Sequence, residues 1–122
     1  MRLVIAYIRP EKLTDVKNAL AKAEVLKISV TNALGCGDEP ATHEQYRGAG
    51  IEVDLQKRVR LEIAVNEQYV DKTVKAIIEG GAAKAGEPGA DQSSGGDGKI
   101  FVLALEDCYR IRTGERGDDA IG

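Results

Sequence analysis

Hydrophobic and polar positions along the 122 residues change their period in a regular order. Leu3-Val4-Ile5-Ala6-Tyr7-Ile8 is an almost wholly apolar run, the pattern of a strand buried on both faces. Pro10 suits the first turn of a helix, and Glu11 its positive N-terminal end. Leu13, Val16, Ala19, Leu20 and Ala23 recur at helical spacing and predict an amphipathic helix over residues 11–23. Polar and apolar residues alternate over 27–34, as in a half-buried strand, and Gly35 and Gly37 bracket its end. Residues 37–54, GDEPATHEQYRGAGIEVD, are polar and show no sustained period. So long a loop in a compact domain is usually functional or mobile.

The pattern then repeats. Residues 58–65 alternate as a strand, Asn66 is a good N-cap, and Val70, Val74, Ile77 and Ile78 form the apolar stripe of a second helix. Gly80-Gly81 is expected to end that helix. Residues 82–98 are small and polar, a second long loop, and 99–105 form a strand. Residues 108–112 read as a short terminal strand or extension, and GERGDDAIG as a polar tail. The order strand–helix–strand, loop, strand–helix–strand predicts one α+β domain over residues 1–122. Its class is ferredoxin-like, a double split βαβ with an antiparallel sheet and both helices on one face. The other face carries apolar side chains and needs a cover, which predicts a closed homo-oligomer.

A hydrophobic fraction of 43% is enough for one core. A net charge of −3 with interspersed signs argues against nucleic acid as a partner. No apolar run approaches the length needed to span a bilayer, so no membrane insertion is expected. MRLVIAYIRP lacks a long apolar segment and a small-residue cleavage site, which points to the cytoplasm. There Cys36 and Cys108, with no C-x-x-C, are expected to be free thiols, a disulfide being the lesser alternative.

Chemistry concentrates near the last strand. In SSGGDGKIFVLAL, residues 93–105, glycines let backbone approach a phosphate, and successive N–H groups can form an anion nest. Gly96, Gly98 and Lys99 fit such a cradle, although the spacing is not that of a P-loop. A plain flexible turn has the same composition. Arg110 and Arg112, two apart, share one side of an extended strand and could grip an oligophosphate with forked donors. A solvated strand face has the same spacing.

Four segments in order carry a family resemblance: IAYIRPEKLTDVKNAL at the start, EQYRGAGIEVDL at 44–55, GDGKIFVL at 96–103 and RIRTGERGDDAI at 110–121. Over nearly its whole length the chain resembles the PII signal-transduction proteins, also called nitrogen regulatory proteins. The resemblance implies a homotrimer that binds ATP or ADP in clefts between subunits. It also implies a T-loop (about 37–54) that docks onto a target, a B-loop (about 82–98) and a C-terminal segment (106–122). By this resemblance Ser29 and Glu62 lie near the base or ribose. Gly35, Cys36 and Gly37 form the T-loop root at the phosphates, with Cys36 a small spacer. Arg58 stands where the family usually has a phosphate-touching lysine. Asp38, Glu39, Ala64, Gly96, Asp97, Gly98, Lys99, Arg110 and Arg112 complete the nucleotide set. Tyr46, Arg47, Gly48 and Ile51 fall in the partner-binding loop, where the family's ammonium-channel regulators plug the channel exit with the arginine matched by Arg47. The regulated partner is therefore expected to be a transporter or a metabolic enzyme.

The chain also departs from that pattern. Asp38-Glu39 replaces the arginine and glutamine of 2-oxoglutarate sensors. Glu39 is a hard ligand suited to Mg²⁺. Two carboxylates beside a dianionic effector are unfavourable, so weak or absent 2-oxoglutarate binding is expected. Ile51 removes the tyrosine that receives a nucleotidyl group in many bacterial members. About nine residues, roughly AGEPGADQS, lengthen the B-loop between Lys84 and Gly96, a change that loop entropy tolerates. The longer loop could lid or restrict the nucleotide cleft, and a preference for ADP or AMP over ATP stays open. The leading reading is a non-enzymatic sensor. The alternatives are a slow ATP hydrolase using Glu39 or Glu62, a metal module around His43 and Cys36, and a bicarbonate- or AMP-responsive regulator of a membrane transporter.

Overall fold

The computed structural model describes residues 1–35, 55–87 and 96–122. Arg2–Ile8 forms strand β1. Arg9, extended as the residue before a proline tends to be, leads into a 3₁₀ turn at Pro10–Lys12 and then helix α1, Leu13–Lys22. Strand β2 is Ser29–Gly35 and strand β3 is Gln56–Val65. Helix α2 is Glu67–Gly81, strand β4 is Gly98–Ala104, and a last turn of helix, α3, is Asp118–Ile121.

The four strands form one antiparallel sheet in the order β2-β3-β1-β4. Directly opposed residues of an antiparallel pair point to the same face. Val4, Ala6 and Ile8 therefore meet Ile63, Leu61 and Val59 on the helix side, and all six are buried. Val16 and Leu20 of α1 and Ala76 and Ile77 of α2 close that core from above. The ferredoxin-like α+β arrangement expected from the double pattern is the one observed.

The opposite face keeps Leu3, Ile5 and Tyr7 of β1 beside Leu103, Phe101 and Lys99 of β4. Phe101 and Leu103 remain 49% and 44% exposed, and Phe101 stands edge-on to Tyr7.

The structure corrects several local expectations. β2 is an edge strand, so Val30 and Leu34 on its helix side stay exposed rather than half-buried. Gly80 and Gly81 do end α2, as its last two residues, but they are buried there and neither takes the positive φ of a glycine cap. A Cβ on Gly80 would lie 2.7 Å from Val16 Cα, so the glycine is there to let α1 and α2 touch. Asn66 does occupy the N-cap, but its side chain makes no cap bond; its Nδ2 donates to Asp118 O at 3.1 Å.

Residues 108–112 do not continue as a strand. Tyr109 bridges to Arg116 around a turn, with Arg110 N donating to Glu115 O at 2.8 Å and Gly117 N to Cys108 O at 2.9 Å. Asp107 pins this hairpin. Its carboxylate accepts from Cys108 N and Gly117 N and pairs with Arg116. Those backbone donors, with Arg116, hold it below the usual carboxylate range. The tail is likewise structured, Lys27 Nζ donating to Gly122 O. Cys108 carries a free, half-buried thiol.

Candidate functional site

The cradle proposed around residues 96–99 sits where the second loop enters β4. Gly98 has φ +112°, and a Cβ there would lie 1.8 Å from Tyr7 O, so backbone conformation and close approach both require glycine. Arg9 Nε donates to Gly96 O at 2.8 Å and lies 3.7 Å from Asp97 Oδ1. Asp97 Oδ2 accepts from Ala83 N at 3.1 Å. Lys99 follows on the exposed edge, its Cα paired with that of Tyr7.

The other predicted residues collect at the far side of the sheet. Ser29 opposes Glu62, and Arg58 opposes Ala33, all on the helix-free face. Glu62 is already partnered, since Arg60 Nη1 donates to its Oε2 at 2.6 Å. That carboxylate and the Tyr7 hydroxyl hold the Arg60 guanidinium more firmly protonated. Arg58 folds along its own strand, donating to Lys57 O and to Gln56 Oε1 at 2.9 Å. Its stem, with Pro10, Asn32, Ala33, Leu34 and Lys57, lines an open groove of about 350 Å³. Ala64 lies half-buried opposite Leu3, and Gly35 closes β2 opposite Gln56.

The two groups are not brought together within one chain. Ser29 lies on β2, the edge opposite β4 and three inter-strand spacings, about 14 Å, away, while Arg58, Glu62 and Ala64 lie on the inner strand β3, two spacings, about 10 Å, away.

Arg110 and Arg112 also depart from expectation, because residues 111–113 turn and the pair does not lie on one strand face. Arg110 is held by its own chain. Its Nε donates to Ala120 O at 3.3 Å and its Nη2 to Asp119 O and Gly122 O at 3.1 and 2.8 Å. Arg112 is exposed in the turn.

Cys36, Gly37, Asp38, Glu39, His43, Tyr46, Arg47, Gly48 and Ile51 lie outside the described residues, and so does most of the added B-loop stretch. Among the described residues no group of three or more His, Cys, Asp or Glu side chains could hold a metal ion. Among them too, no helix is long and apolar enough to cross a membrane.

Sequence reasoning missed Arg9, Lys12, Arg60 and Glu87. Lys12, 6% exposed, donates from Nζ to Glu87 Oε2 at 2.5 Å, and the pairing raises the lysine pKa and lowers that of the carboxylate. Arg60 could have been found, since Arg58, Arg60 and Glu62 share one strand face by period two. The Lys12–Glu87 pair spans 75 positions and left no local signal.

This is a small ferredoxin-like chain with two complementary polar edges, and comparison gives that arrangement a family. A family model described as nitrogen regulatory protein P-II matches residues 1–115. The chain is 41% identical over 121 residues to nitrogen regulatory protein GlnK2 of Haloferax mediterranei, covering 99% of this chain and 91% of the relative. It is 42% identical to nitrogen regulatory protein GlnK1 of Methanosarcina mazei, covering 99% and 97%. With nitrogen regulatory protein P-II of Rhodospirillum rubrum the identity is also 42%, covering 99% and 100%. The chain belongs to the nitrogen regulatory protein P-II family.

Proposed function

We propose that this chain is a cytoplasmic, non-enzymatic sensor that assembles as a homotrimer and binds ATP or ADP in the clefts between copies. Through residues 37–54 it controls a transporter or a metabolic enzyme. One observation carries the reading: the residues suited to a nucleotide divide between the two sides of one sheet, β4 at one edge and β2 with its inner neighbour β3 at the other. One edge offers Gly96, Asp97, Gly98 and Lys99, a glycine-rich backbone followed by an ammonium. The other offers the polar face of Ser29, Arg58 and Glu62. A ligand with an apolar base and an anionic tail would use both, and a second copy would bring them together. The half-exposed Phe101 and Leu103 supply the apolar surface that such packing would cover.

The donor set suits an oligophosphate in kind, with amides, Lys99, Arg58 and the arginines of the C-terminal hairpin. Arg110 would have to exchange or share its carbonyl partners to join it. Mg²⁺ would be held by Glu39 with the phosphates. 2-Oxoglutarate is expected to bind weakly or not at all beside Asp38 and Glu39.

Light scattering for the oligomer and calorimetry with ATP, ADP and AMP test the proposal. Each nucleotide is titrated with and without Mg²⁺, 2-oxoglutarate or bicarbonate. A trimer binding ATP or ADP with no 2-oxoglutarate response is the expected result. No nucleotide binding at millimolar concentration overturns the reading, and ATP turnover beyond stoichiometry replaces it with the hydrolase.

A further inference from the structure

Two cations near the start of the chain are almost buried, and neither is among the residues expected to touch a nucleotide. The Lys12 side chain is 7% exposed and that of Arg9 13%. A buried ammonium or guanidinium needs counter-charge and acceptors around it. Both residues find partners in one loop, at its opposite ends. Arg9 meets Gly96 O and Asp97 at the loop's exit into β4. Lys12 meets Glu87 just after the loop's entry, with Asp15 4.0 Å away. Glu87 N donates to Lys84 O at 2.9 Å, forming a turn from which the carboxylate reaches the start of α1. The two ends also meet each other, through Asp97 and the Ala83 amide.

We propose that Arg9 and Lys12 are positioning residues for the nucleotide phosphates: they tie both ends of the 84–98 loop to the corner between β1 and α1 and so hold residues 96–99 ready for an oligophosphate. This rests on the nucleotide reading above. Arg9 acts through Gly96 and Asp97, and Lys12 through Glu87; neither needs to touch the ligand. Gly98 makes the arrangement sensitive, because its backbone lies against Tyr7 O with no room to shift toward β1.

The test titrates the full chain and its Arg9→Ala, Arg9→Lys, Lys12→Met, Glu87→Gln and Lys12→Met/Glu87→Gln variants with ATP, ADP and adenosine. Melting temperature and amide exchange of residues 96–99 without ligand are measured in parallel. Arg9→Ala should weaken ATP about tenfold or more, the effect expected when a supporting partner is lost. Adenosine binding should be unchanged, and Arg9→Lys should recover part of the loss. Lys12→Met and Glu87→Gln should each weaken ATP by several-fold, and the double variant no more than Lys12→Met alone. Exchange at 96–99 should quicken in the same order.

A merely structural role would lower melting temperature and weaken all three ligands alike, and that outcome overturns the proposal. Variants that keep the wild-type ratio of ATP to adenosine affinity also overturn it. If the unmodified protein binds no nucleotide, the functional reading falls and this role falls with it. If it binds and the variants match it, the role alone falls.

Discussion

The two edges of the sheet carry complementary chemistry but are built in different ways. At the β4 edge the residues offered to a ligand are backbone groups, and other elements fix their place. Gly98 is locked against Tyr7, Gly96 is held by Arg9, and Asp97 is tied to the end of α2. At the β2–β3 edge the residues offered are side chains on an open face, partnered within their own strand. Arg60 pairs with Glu62, and Arg58 with Gln56. The difference teaches where sensitivity should lie. Substitutions at the β4 edge act on fold and site together, because backbone cannot be replaced without moving what supports it. Substitutions at the β2–β3 edge act on the site and leave the fold.

The sharpest way to break this comparison is Gly98→Ala. The left-handed φ costs about 1–2 kcal/mol for an L-residue, and the overlap with Tyr7 O adds an overpacking cost of about 1–3 kcal/mol. A fall in stability of about 3 kcal/mol or more is expected in denaturant melts. Ser29→Ala on the other edge should change stability by under about 0.5 kcal/mol.

Gly80→Ala tests whether the helix layer supports the β4 edge. Its Cβ would press on the Val16 backbone, costing about 1–3 kcal/mol. Because Ala83 follows that turn and holds Asp97, amide exchange at 96–99 should rise as well.

Next in size is a pH effect. Lys12 holds the Glu87 carboxylate below the usual range. The pair therefore stabilises the fold above the unfolded carboxylate pKa of about 4.3, and the gain is lost as pH falls through the lower folded value. Lys12 is raised by the same contact. Its part is complete below its unfolded pKa of about 10.4 and lost as pH rises through the higher folded value. Melting temperature recorded through both ranges should fall less steeply on the acid side in Glu87→Gln than in the unmodified chain. The acid dependence due to Asp107 in the C-terminal hairpin should persist.

The smallest effect is a gain. Glu24 sits at φ 64° where α1 ends, with its own N–H donating to Ala21 O and that of Val25 to Leu20 O. This is the double bond pattern that glycine usually completes. Glu24→Gly should stabilise the chain by about 1 kcal/mol in the same melts, without altering either edge.

What was legible in the sequence follows the range of each interaction. The period-two burial of β3, with Val59, Leu61, Ile63 and Val65 inward, and the helical stripe of Leu13, Val16 and Leu20 are local patterns. Together they gave the element order and the fold class. The helix end at Glu24 carried no glycine to announce it. Gly80 and Gly81 do stop α2, but glycine marks close contacts as well as stops, and only the approach of α1 shows that Gly80 is also a contact. Asn66 had a cap's composition, but its side chain reached for Asp118. The hairpin that takes Arg110 out of an extended strand depends on Asp107 binding the amides of Cys108 and Gly117, nine residues apart. Gly98 could be read as permissive but not as clamped, because Tyr7 O, Arg9 and Lys12 come from the other end of the chain. The candidate nucleotide residues were named by family resemblance. No local period would have paired Ser29 with Glu62 or set Lys99 on the opposite edge.

The most direct test of the central claim, a nucleotide site completed between copies, is a mixing experiment. Lys99→Ala removes the ammonium at the β4 edge, and Glu62→Ala removes the carboxylate at the β2–β3 edge. Each variant alone should lose most ATP affinity while remaining folded and assembled. When the two are unfolded together and refolded as mixed oligomers, some clefts should join an intact β4 edge from one parent to an intact β2–β3 edge from the other. Calorimetry should then recover sites of wild-type affinity in a fraction set by random assortment. Mixed oligomers that bind no better than either parent would contradict the account.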